Sequence, residues 1–142
     1  MANILIAVTG SIASYKSADL VSSLKKQGHQ VTVLMTEAAR EFIQPLTLQV
    51  LSQNPVHLDV MKEPYPDQVN HIELGKRTDL FIVVPATANT IAKLVHGFAD
   101  NMVTSTALAL PSHIPKLLAP AMNTKMYDHP ATQANLKTLE TY

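Results

Sequence analysis

The chain begins with an unbroken apolar run, Ile4-Leu5-Ile6-Ala7-Val8, that stops at Thr9-Gly10-Ser11. Such a run is expected of a parallel strand covered on both faces and leading into a tight turn. From Ile12 to Gln27 the pattern changes to helical spacing. Ile12, Leu20, Val21 and Leu24 recur as apolar positions, Lys16, Ser23, Lys25 and Lys26 can face water, and Gly28 supplies a stop. Gln30 to Met35, centred on Val31-Thr32-Val33-Leu34, returns to the β-branched and apolar residues of a strand. These pieces make one βαβ unit.

The same alternation continues. Thr36 to Ala39 can open a helix, and Pro45 either ends it or starts the next around Leu46 to Leu51. Val56-His57-Leu58-Asp59-Val60 alternates like a strand, and Lys62 to Asp67 is a proline-bearing loop suited to a mobile rim. Asp67 or Asn70 can cap a short helix through His71-Ile72-Glu73-Leu74, before the interior strand Asp79 to Val84. Ile91 to Leu94 reads as helix with breaks at Gly97 and Asp100. Asn101 can cap the nearly all-apolar or small run Met102 to Leu110, which calls for either a central core position or subunit packing. Pro115 to Ala119 is a further strand and Pro130 to Leu139 a last helix. The fold predicted is α/β: a doubly wound, Rossmann-like parallel sheet flanked by helices, with its ligand beyond the strand carboxyl ends. Three loops of small and polar residues fall at that edge: Thr9 to Ser11, Pro85 to Thr90, and Pro120 to Asn123.

A length of 142 residues suits one domain with one core. The 11 basic and 11 acidic residues balance, so no global field draws the chain to nucleic acid or an anionic membrane. Cysteine is absent, which removes disulfides and thiolate metal sites within these residues. The first apolar run is too short to span a membrane and has no basic leader, so the expectation is a soluble cytoplasmic protein. The six histidines show no convincing metal-ligand spacing, and no metal is expected.

Between strand and helix, Gly10 to Ser14 can offer amide hydrogens and two hydroxyls to a phosphate. There is neither a GxGxxG fingerprint nor a GxxxxGK segment, which disfavours dinucleotides and nucleoside triphosphates. Thr36 can reach a cofactor phosphate or cap a helix, and Asn89 can meet a planar ligand or form a turn. Asp100 and Asn101 are divided in the same way between capping and ligand contact. His71 is the best acid/base candidate because imidazole titrates near neutral pH, although a histidine beside Ile72 and Leu74 is more often structural. Asn123 follows a strand directly, so its amide can recognise a carboxylate or hold a cofactor heteroatom. Met122 and Met126 read equally as packing residues.

Five ordered blocks, taken together, resemble the flavin-containing cysteine decarboxylases, most closely the branch acting on phosphopantothenoylcysteine. They are Gly10-Ser11-Ile12-Ala13-Ser14-Tyr15-Lys16, Asn70 to Leu74, Pro85-Ala86-Thr87-Ala88-Asn89-Thr90-Ile91-Ala92-Lys93, Ala99-Asp100-Asn101, and Pro120-Ala121-Met122-Asn123-Thr124-Lys125-Met126-Tyr127. The resemblance implies FMN-dependent decarboxylation of 4'-phospho-N-pantothenoyl-L-cysteine to 4'-phosphopantetheine and carbon dioxide. It places Gly10, Ser11, Ile12, Thr36, Ala86, Thr87, Asn89, Asp100 and Asn101 around FMN. It makes His71 the base or substrate-orienting residue, Asn123 the binder of the substrate carboxylate and intermediate, and Met122 and Met126 neighbours of the substrate. It further implies a homo-oligomer, a trimer or a dodecamer built from trimers, in which neighbouring subunits complete each flavin site.

The sequence departs from the family pattern in two places. Tyr127 stands where the family often has tryptophan, which keeps an aromatic face without the indole. The chain stops at Tyr142, where relatives continue into a substrate-covering flap bearing a cysteine. Residues 1–142 are therefore expected to be a single FMN-binding decarboxylase domain without that flap. Two other readings stay open: a decarboxylase of a peptide's C-terminal cysteine, and a non-catalytic flavin-binding regulatory protein.

Overall fold

In the computed structural model, which describes residues 1–59 and 70–142 and gives residues 70–73 by their backbone alone, the first apolar run is strand β1 (Asn3–Val8). Every residue from Ile4 to Val8 is buried, which explains why the run has no polar alternation. β1 pairs in parallel with β2 (Gln30–Met35) on one side and with β3 (Leu80–Ala86) on the other, and β3 pairs in parallel with β4 (Lys116–Pro120). The order β2-β1-β3-β4 reverses direction between β1 and β3, the mark of a doubly wound sheet, as the sequence pattern predicts.

Helices cover both faces. Against Ile4, Ile6, Val8, Val31, Val33 and Met35 lie Val21 of α1 (Lys16–Lys26) and Leu48 of α2 (Pro45–Ser52). The opposite face, Leu5, Ala7, Leu34, Phe81 and Val83, meets Leu74 of α3 (Asn70–Arg77), Ile91 of α4 (Ala88–His96), and Met102 and Val103 of α5 (Met102–Ala109). Two further helices, α6 (Thr124–Asp128) and α7 (Pro130–Thr141), follow β4. Each wholly buried aliphatic side chain in these two layers contributes on the order of 1.5–3 kcal/mol.

Several local expectations change. Ile12 to Gln27 is not one helix: Ile12–Tyr15 is a 3-10 turn, α1 starts at Lys16, and Ile12 is 84% exposed instead of facing the core. A reciprocal cap between Ser11 and Ser14 holds this tighter turn. Thr36 to Ala39 opens only another 3-10 turn, Ala38–Glu41, and Pro45 starts α2 as its first residue. Of the strand expected at Val56 to Val60, the described part makes an isolated bridge, with His57 N–H to Val33 O at 2.9 Å and Met35 N–H to His57 O at 3.1 Å. Val60 and the Lys62 to Asp67 loop lie outside the described residues.

Helix α5 settles between its two readings within the chain. Met102 to Thr106 are all buried, and Leu108, 60% exposed, is the large apolar side chain that it presents to solvent. The apolar circumference is thus explained by a core position and gives no separate support for subunit packing.

Candidate flavin and substrate site

The parallel register brings the ends of all four strands to one edge, and hydrogen bonds lace the loops that leave it. Thr36 N–H donates to Val8 O at 3.1 Å, joining the ends of β2 and β1. Thr9, 1% exposed, donates its hydroxyl to Pro85 O and accepts the Thr87 N–H at 3.1 Å, joining the ends of β1 and β3. Ala121 N–H donates to Ala86 O at 3.1 Å, joining β4 to β3. The three loops expected at this edge are therefore one structure. Its centre is the point between β1 and β3 where the winding reverses, the place where ligands of open α/β sheets bind.

Gly10 is required by close packing. A Cβ built there would stand 2.6 Å from Ala38 Cβ and 2.9 Å from the Ala38 carbonyl carbon, so the loop after β1 and the turn after β2 touch only because Gly10 has no side chain. The neighbouring hydroxyls are less available than the sequence suggests. Ser14 is buried, donating to Thr9 O at 2.7 Å and accepting from Ser11 N–H at 3.0 Å, while Ser11 Oγ accepts from Ala13 N–H at 3.1 Å. What remains for a ligand is the main chain. Among the described residues, the N–H groups of Gly10 and Ile12 make no hydrogen bond, which is the donor set an anion needs at such a turn. Exposed Ile12 adds an apolar surface beside them.

On the other side of the switch point, Ala86 is buried at the end of β3 and Thr87 caps α4, its Oγ1 accepting from Thr90 N–H at 3.2 Å. Asn89, on the first turn of α4, is exposed and forms no hydrogen bond among the described residues, leaving both ends of its amide open. Thr36 is buried and caps the turn after β2, with its Oγ1 accepting from Ala39 N–H at 3.2 Å. Asp100 and Asn101 stand apart from these loops in their bonding. Asp100 pairs with Lys93 Nζ at 2.7 Å, and Asn101 Oδ1 accepts from Thr104 N–H at 2.8 Å in a reciprocal cap of α5. The hydrogen bond from Lys93 holds the Asp100 carboxyl below the usual carboxylate value.

At the end of β4, Asn123 caps α6: its Oδ1 accepts from Met126 N–H at 2.9 Å, and among the described residues its Nδ2 has no partner. The side chain is exposed, so a fixed amide donor is presented at the site edge. Met122 packs partly against the core, whereas Met126 is exposed. The backbone of His71 lies in the first turn of α3, and its side chain lies outside the described residues. Thr9, which the sequence places in an edge loop without a role of its own, is the residue that joins two of these loops. Its signal was slight: a single hydroxyl closing an otherwise apolar strand.

Fold and edge together define a parallel-sheet protein with an anion-ready turn at its switch point, and the chain belongs to the flavoprotein family, whose model matches residues 1–142. It is 62% identical over 139 residues to the probable phosphopantothenoylcysteine decarboxylase of Streptococcus mutans, covering 98% of this chain and 78% of that protein. It also spans about one third of the length of coenzyme A biosynthesis bifunctional proteins such as that of Bacillus subtilis. Among solved structures it resembles the FMN-dependent cysteine decarboxylase SpaF, with a TM-score of 0.91 and 29% identity over 99% of this chain and 80% of SpaF. It also resembles a cysteine-to-serine mutant of PPC decarboxylase complexed with pantothenoylaminoethenethiol. There the TM-score is 0.86 at 28% identity, covering 99% of this chain and 78% of that one.

Proposed function

We propose that this chain is an FMN-dependent decarboxylase converting 4'-phospho-N-pantothenoyl-L-cysteine to 4'-phosphopantetheine and carbon dioxide in the cytoplasm. The observation that supports the reading is that the unbonded Gly10 and Ile12 amides, Asn89 and the capped Asn123 all follow the carboxyl ends of strands joined by the Thr9 and Ala121 bonds, in a chain 62% identical to its Streptococcus relative. Gly10, Ser11 and Ile12 would hold FMN through its phosphate, and Ala86, Thr87, Asn89 and Thr36 would hold the rest of it. Asn101 would complete the polar rim with the Nδ2 that its cap leaves over, with Asp100 beside it, both of whose carboxylate oxygens meet Lys93 and Thr104.

When bound, FMN supplies a reversible two-electron sink for the terminal cysteine unit of the substrate, which makes the net reaction redox-neutral. The protein's part is orientation and proton handling. Asn123 Nδ2 donates to the substrate carboxylate, and the Met126 N–H fixes the direction of that donor by holding Oδ1. Once the terminal thiol has been raised to a thiocarbonyl at the expense of that two-electron sink, loss of carbon dioxide would break the bond to the carboxylate and pass its electron pair into the thiocarbonyl, giving an enethiolate that gains a proton to become the enethiol. His71 would accept the thiol proton released in that oxidation, or orient the substrate for it, and can return a proton to the enethiolate. Its helix ends near the amino edge, where Asp79 N–H bonds Asn3 O at 2.8 Å, and His71 stands six residues before Arg77, about 9 Å further along a helix.

A homo-oligomer, a trimer or a dodecamer of trimers, accompanies this reading. Ile12, Leu46, Val50 and Leu117 are more than half exposed and are available for contact between copies. Purified protein loaded with FMN and given the phosphopantothenoyl substrate should release carbon dioxide, detected together with the thiol product by mass. Failure on this substrate with turnover of a peptide ending in cysteine would move the assignment to peptide modification. FMN binding without decarboxylation of either would leave a flavin-binding regulatory protein.

A further inference from the structure

We infer that Thr9 is the positioning residue of the site: its buried hydroxyl fixes the β3–α4 turn against the β1 turn, so that the two halves of the ligand edge act as one. Thr9 is 1% exposed, so it acts through the turns it joins. Its hydroxyl is used in both senses at once, donating to Pro85 O and accepting from Thr87 N–H, and its own carbonyl accepts from Ser14 Oγ at 2.7 Å. Ser14 in turn receives Ser11 N–H at 3.0 Å. A continuous path therefore runs from the amide of Ser11, through Ser14 and Thr9, to the amide of Thr87 and the helix that carries Asn89. The next bond along the edge, Ala121 N–H to Ala86 O at 3.1 Å, extends that path toward Asn123.

The two turns are 78 residues apart in sequence, and no side chain other than that of Thr9 is seen to bridge them by hydrogen bonding among the described residues. Removing one hydroxyl would leave a buried carbonyl and an amide without partners, and the turns free to separate. Residues that only fill a core have no such directional consequence.

This inference rests on the proposed flavin site for its second readout alone. The variants are Thr9→Val, which keeps the shape and loses the hydroxyl, and Thr9→Ser, which keeps the hydroxyl. The first measurement is hydrogen exchange at the Thr87 amide in the protein as purified, with the Asn89 amide, which has no acceptor in the same helix turn, as internal control. In the parental protein Thr87 should exchange at least roughly tenfold more slowly than Asn89, and Thr9→Val should erase the difference while Thr9→Ser keeps it. The second measurement is FMN affinity after removal and re-addition of flavin, expected to weaken roughly tenfold in Thr9→Val and to recover in Thr9→Ser.

Equal exchange at Thr87 and Asn89 in the parental protein overturns the clamp without need of any variant, so a Thr9→Val chain that fails to fold leaves the proposal testable. Faster Thr87 exchange in Thr9→Val with unchanged FMN affinity overturns the positioning role. A parental protein that protects Thr87 but never binds FMN sinks the flavin assignment and leaves the clamp standing.

Discussion

Gly10→Ala places a methyl carbon where Ala38 already stands, and the nearer backbone atoms of Ala38 cannot rotate away. Overpacking of this kind costs about 1–3 kcal/mol, and here it also pushes apart the turns proposed to hold the phosphate. Thermal unfolding should show the loss, flavin retention should fall with it, and adding Ala38→Gly should recover part of both; an undiminished Gly10→Ala protein would mean that the loop relaxes freely. His71→Asn is expected to keep flavin occupancy while lowering turnover at least tenfold, in line with general acid–base contributions. Near-parental turnover at equal occupancy and assembly would remove His71 from the chemistry. How far such residues were legible follows from their bonding. Asn101 and Asn123 advertise themselves as polar residues just before helices, and the structure uses both as caps. That same use is why sequence could not separate capping from ligand contact: Asn123 does one with Oδ1 and has Nδ2 left for the other. Ser14 was misjudged because its hydroxyl turns inward to a carbonyl contributed by Thr9, a partner defined only by the folded turn.

Periodicity located most elements because a sheet buried on both faces demands continuous apolar strands, and β1, β2 and β3 all meet that demand. It failed where pairing or capping, not burial, decides the outcome. Val56 to Val60 alternates like a strand, yet only His57 bridges the edge of β2 among the described residues. The 3-10 turn at Ile12 exists because two serines cap each other, and apolar spacing carries no trace of that bond. At the start of α5, Asn101→Ala should cost about 1 kcal/mol, as measured by denaturant unfolding, since it removes the acceptor for Thr104 N–H. The adjoining Lys93–Asp100 pair makes a separate prediction. Lys93 lowers the Asp100 value below 3.8, so its stabilisation is fully present above that pH and is lost as pH falls through the folded-state value. Unfolding curves of the parental protein and Asp100→Asn should differ near neutral pH and converge in acid. Both groups reach solvent, so the difference should also shrink in salt. A gap that persists unchanged in acid would assign the effect to the Thr104 contacts instead.

At the scale of the whole molecule, the proposed reaction has two halves with different requirements. The half that releases carbon dioxide needs the substrate carboxylate held and the thiol proton accepted, and the proposed reading gives those tasks to Asn123 and His71. Saturating the resulting enethiol needs the electron pair taken up by the flavin to be returned together with a proton delivered to carbon, and none of the 142 residues is a cysteine that could donate that proton from a thiol. The expectation for this chain is therefore prompt carbon dioxide release with accumulation of the enethiol and little completed 4'-phosphopantetheine. Substrate and FMN-loaded protein can be mixed anaerobically for a single turnover, then quenched and separated by mass, since the enethiol and the saturated thiol differ by two hydrogens. Adding in the same chain a cysteine-bearing flap of the kind expected from the family should convert the accumulated enethiol to the saturated product, by supplying the donor and excluding water. Two results would count against this division of labour. Saturated product formed at the same rate with and without the flap would mean that solvent or another side chain delivers the proton. No carbon dioxide until the flap is present would mean that closure precedes the first bond cleavage, so that the laced edge binds and orients but does not by itself create the reactive geometry.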